Sequence, residues 1–505
     1  MSVFPEPKWF LDSQPREVQL EALRRSYFGY STKESKDGET SPQWLRPAGP
    51  ASGWGHYLEM RLGKTPTALN EFEMFMHEFG YENMVVFCPN TFKQGWVDEA
   101  AKSGSSVPFG VFETSRHKDA VNFARQTNGR FGIAINYESL QYEKAQQFLM
   151  DNVGPKTLLV ADESIKIKNH ASITTKVALA ISKEAGATRV LSGLPMTQGP
   201  QDLYSQFRFI RQQNGVNPFA FRNRFCKMGG FKNKKVVGVN EANTDELQRL
   251  IGLNTFVAKR KDWGDPTKPE YYVMNLSLDP AQQKHYREID KEFVTVLESG
   301  FEVTADQVIT KLMKMQQISS GFVYTENGKA EEIMDPMKTP KILRLMEFIE
   351  DEVEGKVIVP YHYSKSGDNL LQALAQYNPA IIRSAGWMKT NGRNADTEKA
   401  RFNGDPACRV MILQISAGKY GHDLSGVKGN RCGTMVFYEN TYSLDDRGQI
   451  EMRNTTAFQD WTNVYLDFVA STVERRAVNA HVKKESLVEA VFGAYQEDKV
   501  RIERT

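Results

Sequence analysis

The stretch His56-Tyr57-Leu58-Glu59-Met60-Arg61-Leu62-Gly63-Lys64-Thr65, followed by Pro66-Thr67-Ala68-Leu69, decides how this chain is read. A phosphate-binding turn needs backbone N–H groups facing phosphate oxygens, a Lys against the β/γ charge, and a hydroxyl for Mg2+ where a helix begins. Gly63, Lys64 and Thr65 supply these, and the residues after them suit a helix. The usual first glycine is replaced by Leu58, so the string alone competes with a chance Gly-Lys-Thr in a turn. Further on, the apolar run Thr157-Leu158-Leu159-Val160-Ala161 ends in Asp162-Glu163-Ser164-Ile165. At a strand's end Asp162 would hold Mg2+, directly or through water, and Glu163 would orient and deprotonate an attacking water. An isolated Asp-Glu pair often only caps a helix. In this order after Gly63-Lys64-Thr65 it reads as the second half of a nucleotide site binding ATP and Mg2+.

Short apolar runs bounded by polar or turn residues recur at 84–87, 132–135, 157–161, 356–359, 410–413 and 434–438, and they predict buried parallel strands. Between them lie helical spacings such as Ile342, Leu345, Met346, Ile349 and Val353 on one face. Alternating strands and helices imply an α/β fold. A chain of 505 residues is too long for one ordinary core. The strand-like runs fall into two groups, separated by residues 201–340, which read as mostly helical. Two lobes are therefore expected, 1–265 and 266–505, with a hinge in Asp262–Glu270 around Gly264, Pro266 and Pro269.

Lys plus Arg outnumber Asp plus Glu by only 64 to 62, so no basic footprint covers the chain and any nucleic-acid contact must come from a local groove. Residues 221–240 carry Arg222, Arg224, Lys227, Lys232, Lys234 and Lys235 around Gly229-Gly230, which is either a basic loop on DNA or a solvated surface loop. Cys88, Cys226, Cys408 and Cys432 lie far apart without a Cys-x-x-Cys pair, which argues against a zinc ribbon or a disulfide framework. No basic patch precedes an apolar core at the N-terminus, and no apolar run is long enough to span a bilayer. A cytoplasmic protein with no membrane contact is expected.

In the order of its motifs the chain resembles the Swi/Snf-like branch of superfamily 2 helicases. Residues 15–23, Pro-Arg-Glu-Val-Gln-Leu-Glu-Ala-Leu, are similar to the family's opening segment, which implies that Gln19 reads the adenine edge. Leu58 to Thr65 resembles Asp-Glu-Met-Gly-Leu-Gly-Lys-Thr, departing at Leu58 and at Arg61, where glycine is usual. Cys88-Pro89-Asn90 with Trp96 and Glu99, and then Asn136-Tyr137-Glu138-Ser139-Leu140, resemble two segments that lie along DNA. Asp162-Glu163-Ser164-Ile165 with Lys168-Asn169 resembles the Asp-Glu-x-x box. Ser192-Gly193-Leu194-Pro195-Met196-Thr197-Gln198 resembles Thr-Gly-Thr-Pro, where Ser192 can replace a hydroxyl and Leu194 cannot. Lys259-Arg260-Lys261 precedes the linker as a basic trio does in the family, with Gln283 and Tyr286 in the next helix. Residues 417–424, Ala-Gly-Lys-Tyr-Gly-His-Asp-Leu, resemble Ala-Gly-Gly-x-Gly-x-Asn-Leu, a turn that binds DNA backbone and feels the nucleotide through Gly418 and Gly421. Gln449-Ile450-Glu451-Met452-Arg453 resembles Gln-x-x-x-Arg-x-x-Arg, with Thr456 where the second arginine belongs.

The resemblance implies two RecA-like lobes with helical protrusions. Lys64, Asp162, Glu163 and Arg453 would be catalytic, Gln19, Gly63, Lys64, Thr65, Gln449 and Gly421 would bind nucleotide, and Thr65 and Asp162 would bind metal. ATP hydrolysis would then move the protein along double-stranded DNA without strand separation, in phage or bacterial recombination, replication or repair. The same motifs permit a strand-separating or branch-migrating helicase. Leu194, Lys419 and Thr456 together suggest a third reading, an ATP-gated DNA clamp with little hydrolysis. Arg453, Arg447 and Lys419 are the cations that could replace the missing arginine, which in other phosphoryl-transfer systems is worth roughly 10³ to 10⁵ in rate.

Overall fold

The computed structural model describes residues 6–34, 40–44, 49–212, 217–229, 235–263, 269–298, 305–418, 423–427, 429–456, 459 and 461–481. Gly264 and Pro266 of the expected hinge lie outside the described residues, as do Gly230, Lys232, Lys234, Lys419 and Gly421. The chain divides into two compact units, one up to residue 264 and one running from 265 to 483.

The first unit is built on a seven-stranded sheet in which every pairing is parallel. Its spatial order is Thr255–Ala258, Gly53–Leu58, Ala187–Leu191, Thr157–Asp162, Asn83–Cys88, Phe131–Asn136, Phe109–Val111. Asn83–Cys88 and Thr157–Asp162 are buried at every position, as strands covered on both faces must be. Their side chains alternate between two cores. Val85, Phe87, Leu159 and Ala161 enter one, and Met84, Val86, Leu158 and Val160 enter the other. The second unit repeats this plan with six parallel strands in the order Glu270–Asn275, Val464–Val469, Thr434–Phe437, Val357–Tyr361, Val410–Gln414, Ala380–Ile382. Val357 and Val359 face one core, and Ile358 faces the other. The helix Pro340–Asp351 buries Ile342, Leu345 and Ile349 against that first core, which is the spacing the sequence shows. Two α/β units, each a parallel sheet between layers of helix, are the expected pair of RecA-like lobes.

The stretch 201–340 is richer in helix than in strand, as its pattern reads, but not throughout. It contains helices, but Thr255–Ala258 and Glu270–Asn275 are edge strands of the two main sheets, and Cys226–Gly229 with Lys235–Val239 form an antiparallel hairpin. Thr255–Ala258 has only four residues, and Glu270–Asn275 is mostly exposed, so its pattern has no buried face to report. Arg222 and Arg224 lie on the helix Pro218–Phe225 just before the hairpin, so the basic stretch is partly structured. Among the described residues no helix is long and apolar enough to cross a membrane, and all four cysteines are free and buried.

One buried ionic cluster joins the pieces of the first unit. Glu71, on the helix Lys64–Phe79, accepts from Arg189 Nη2 at 2.9 Å and Nε at 2.8 Å, from Ser26 Oγ at 2.6 Å, and approaches His56 Nε2 at 3.1 Å. Arg189 also donates to the carbonyls of Ala51 and Thr188, at 3.0 and 2.8 Å. Neither Glu71 nor Arg189 is exposed at all. Burial pushes the Glu71 carboxyl up, but Arg189 and His56 outweigh burial and hold it well below the usual carboxylate range. A depressed folded-state pKa stabilises the fold above the ordinary carboxylate range, and that contribution is lost as pH falls through the depressed value. Removing one partner strands a buried charge, so Glu71→Gln is expected to cost about 3 to 5 kcal/mol, measured by urea unfolding at neutral pH. The joint change Glu71→Leu with Arg189→Met is expected to cost less than the single one, because no orphaned charge remains.

Candidate nucleotide site

All strands of the first sheet run the same way, so the segments that follow Leu58, Cys88, Asn136, Asp162 and Leu191 emerge at one edge. In open α/β sheets ligands bind outside the carboxyl ends of the strands. The first-lobe motifs other than the Gln19 segment and the Lys259-Arg260-Lys261 trio, which follows Ala258, lie in these segments. Parallel topology thus does what no linear spacing can.

Gly63 caps the sixteen-residue helix Lys64–Phe79, whose first turn leaves N–H groups without partners inside the helix. Its φ of 84° is left-handed, and an added Cβ would lie 2.4 Å from Gln19 Nε2. Gln19 is buried, donates to Gly63 O at 3.2 Å and accepts from Arg16 N at 2.7 Å. The expected adenine reader is thereby docked on the phosphate loop. Leu58, where the family has another residue, is fully buried among Val18, Leu62, Phe256 and Ala258. Its carbonyl, not its side chain, serves the site, accepting from Lys64 Nζ at 3.1 Å. Arg61 adopts φ 70°, the left-handed conformation that glycine takes without strain. Arg16 Nη1 on the Arg61 carbonyl at 2.6 Å and Leu62 N on Glu59 O at 3.2 Å hold it there.

Asp162 ends its strand and is buried. Its Oδ2 accepts from Trp96 Nε1 at 3.0 Å and its Oδ1 from Glu163 N at 2.9 Å. Burial pushes its carboxyl above the usual range, and the Lys64 charge and the Trp96 indole partly offset that. The Lys and the carboxylate of the two nucleotide motifs therefore share one electrostatic environment. Glu163 sits at φ 48°, ψ 54°, a strained backbone for a non-glycine residue and of the kind that accumulates at functional sites. Gly193 faces the same space, since a Cβ there would stand 3.3 Å from Lys64 Nζ and 3.2 Å from Met60 N. Lys64 Nζ, the Asp162 carboxylate and that unfilled cradle suit a magnesium-bound phosphate chain.

Two residues of this site escaped the sequence reading. Buried Gln206 accepts from Ser164 Oγ at 2.7 Å and Tyr57 OH at 3.3 Å, and donates to Pro195 O at 2.7 Å. One amide thus joins the strand before the phosphate loop, the turn after Asp162 and the Ser192–Gln198 segment. Arg189 is the other. A charge inside an apolar strand run was its only signal.

In the second unit, Gln449 and Arg453 lie on consecutive turns, with Arg453 Nε donating to Gln449 O at 2.8 Å. Leu424 N donates to Arg453 O at 2.7 Å, which brings the end of the 417–424 turn onto the closing motif. Gly418 packs close to its strand, its would-be Cβ 2.4 Å from the Leu413 side chain. Arg447, one of the three candidate substitutes for the missing arginine, is excluded. It is buried, binds Glu451 and Asp467, donates to Asn440 Oδ1 at 3.0 Å, and lies 3.4 Å from the Phe437 ring centroid. A guanidinium so buried and paired with two carboxylates holds the fold.

These sites match a two-unit ATPase of the helicase class. Residues 57–321 match the SNF2-related domain model, more than half of the chain. The chain belongs to the SNF2-related domain family, within the Swi/Snf-like superfamily 2 helicases. It is 24% identical over 407 residues to protein p41 of Acyrthosiphon pisum secondary endosymbiont phage 1, covering 77% of this chain and 82% of that protein. It is 24% identical over 277 residues to the SWI/SNF-related matrix-associated actin-dependent regulator of chromatin subfamily A-like protein 1 of Xenopus laevis. That match takes in 53% of this chain, which spans only 26% of the Xenopus protein. A solved structure, the Sulfolobus solfataricus SWI2/SNF2 ATPase core in complex with double-stranded DNA, is 17% identical with a TM-score of 0.42, covering 98% of this chain and 97% of that one.

A left-handed backbone costs a non-glycine residue about 1 to 2 kcal/mol, and a methyl at Gly63 also collides with Gln19. Gly63→Ala is expected to weaken binding of a fluorescent ATP analogue roughly tenfold, with a helical circular dichroism spectrum like that of the unchanged protein.

Proposed function

We propose that the chain is an ATP-dependent motor on double-stranded DNA, whose first unit hydrolyses ATP at the carboxyl edge of its sheet. The observation that carries this reading is the meeting of Lys64, Gly193 and Asp162 at that edge, on a helix start capped by Gly63. Family membership and the chromatin-regulator name of the Xenopus relative support DNA as the track. Recombination, replication or repair is the proposed work, and the length shared with the phage protein supports only a phage or bacterial-host setting for it.

Mg2+, held by the Thr65 hydroxyl and Asp162, would supply charge neutralisation to the phosphates. Gln19 reads the adenine edge, and the Lys64 ammonium pairs with the β/γ oxygens. Glu163 takes the proton of the attacking water. Gly421, Gln449 and Arg453 are the second unit's proposed nucleotide-responsive groups. Asn90, Gln94 and Glu138, exposed in the segments after Cys88 and Asn136, lie along the duplex.

Removing the charge of Lys64 or the base at Glu163 touches only the phosphates, so Lys64→Ala and Glu163→Gln are expected to abolish turnover while duplex affinity survives. Steady-state ATP hydrolysis with and without duplex DNA checks this, and turnover in either variant would overturn the assignment. Affinity for duplex is expected to fall steeply with salt in a filter-binding titration, since phosphates dominate such contacts.

The clamp reading gains from one observation, the enclosure of Arg447, which leaves Arg453 and Lys419 as replacements for an arginine at 456. In the motor reading Arg453→Ala or Lys419→Ala slows DNA-stimulated turnover by roughly 10³-fold or more, and Thr456→Arg changes it little. If turnover is already slow and Thr456→Arg raises it, the clamp reading takes its place.

A further inference from the structure

Asp162 receives one buried hydrogen bond from each of two neighbouring segments of the sheet edge. Trp96, on the helix Lys93–Lys102 that follows the Cys88–Asn90 turn, donates its indole N–H to Asp162 Oδ2 at 3.0 Å. Tyr137, the first residue after the strand Phe131–Asn136, donates its hydroxyl to the Asp162 carbonyl at 2.7 Å. Trp96 is 2% exposed and Tyr137 3%, so water cannot stand in for either donor. Each lies beside exposed polar residues of its own segment. Asn90, Thr91 and Gln94 precede Trp96, and Glu138 follows Tyr137.

The two strands feeding these segments pair with each other along their whole length, with Cys88 opposite Asn136, and the first of them also pairs with the strand of Asp162, with Phe87 opposite Ala161. Three adjacent parallel strands thus end together. Their last residues cannot shift independently, because each is tied to its neighbour by the ladder. A displacement of the exposed turns must instead pass into the groups just beyond the ladder, and those are Trp96 and Tyr137. The carboxylate's second oxygen is held by the backbone of Glu163, at 2.9 Å, so among the described residues the indole is the side-chain donor that sets the rotation of the Asp162 carboxylate.

We infer that Trp96 and Tyr137 are positioning residues through which duplex DNA on the two exposed turns sets the geometry of Asp162, and so the affinity for magnesium nucleotide. The inference rests on the proposed DNA and nucleotide reading. By thermodynamic reciprocity the same link lets nucleotide alter the hold on DNA.

The test uses the full chain and binding, not turnover. Fluorescent ADP is titrated in magnesium buffer, with and without saturating duplex DNA, in the unchanged protein, Trp96→Phe and Tyr137→Phe, whose melting temperatures are recorded alongside. In the unchanged protein duplex is expected to shift nucleotide affinity by about tenfold. In each variant that ratio is expected to fall toward one while duplex affinity measured without nucleotide is kept. A full ratio in both variants overturns the inference and leaves the proposed function standing. An unchanged protein that binds no duplex, or whose nucleotide affinity ignores duplex, overturns the DNA reading or the coupling respectively. Tyr137→Phe removes a single oxygen and carries the test alone if Trp96→Phe fails to fold. A purely structural role would lower the melting temperature and leave the ratio intact.

Discussion

The Glu71–Arg189 pair is the constraint on which the first unit depends. It fixes the phosphate-loop helix against the strand Ala187–Leu191, so Lys64 at one end of that helix and Ser192-Gly193 at the end of that strand meet at a set distance. Desolvating two charges is costly, and replacing such a pair with apolar groups is often neutral for stability. What the pair adds is direction. Two fork hydrogen bonds, a serine and a histidine admit one orientation of helix on sheet, whereas an apolar contact would tolerate sliding. A site that must hold its donors to within a fraction of an ångström benefits from that restriction.

The departures from the family pattern sort by what the backbone asks. Leu58, where the family has aspartate, is harmless because the site uses only its carbonyl and its side chain fills an apolar core. Arg61 takes up a left-handed conformation at a cost, and the carbonyl clasp from Arg16 offsets it. That clasp also brings in the segment bearing Gln19, so Gln19 and the strained loop residue support one another. Thr456 is different, since no local hydrogen bond restores a missing charge. Its backbone N–H bonds to Gln459 at 3.3 Å, which shapes the turn and supplies no cation.

Gln206 and Asp162 show how a parallel sheet concentrates control. The strands deliver five segments to one edge, and a few buried polar side chains cross-link them. Such groups are expensive to leave unsatisfied in a low dielectric, so each network is all or none. Movement of one segment therefore breaks bonds in another and cannot fade with distance.

The sequence by itself determined the class of fold and the ordering of motifs that gave the family, and it marked Gly63-Lys64-Thr65 and Asp162-Glu163 as the candidate nucleotide residues. These are local. A buried strand declares itself by continuous apolar residues, and a phosphate turn by residues that must be adjacent. The tertiary structure alone decided the rest. It made edge strands of the four-residue Thr255–Ala258 and of Glu270–Asn275, whose mostly exposed residues show no buried face. It turned Arg447 from a candidate catalytic cation into a buried structural one, and gave Gln206, Arg189, Trp96 and Tyr137 their roles. Whether a polar side chain solvates itself, closes a core or orients a neighbour depends on partners tens of residues away in sequence, and sheet pairing, which no local period encodes, chooses those partners.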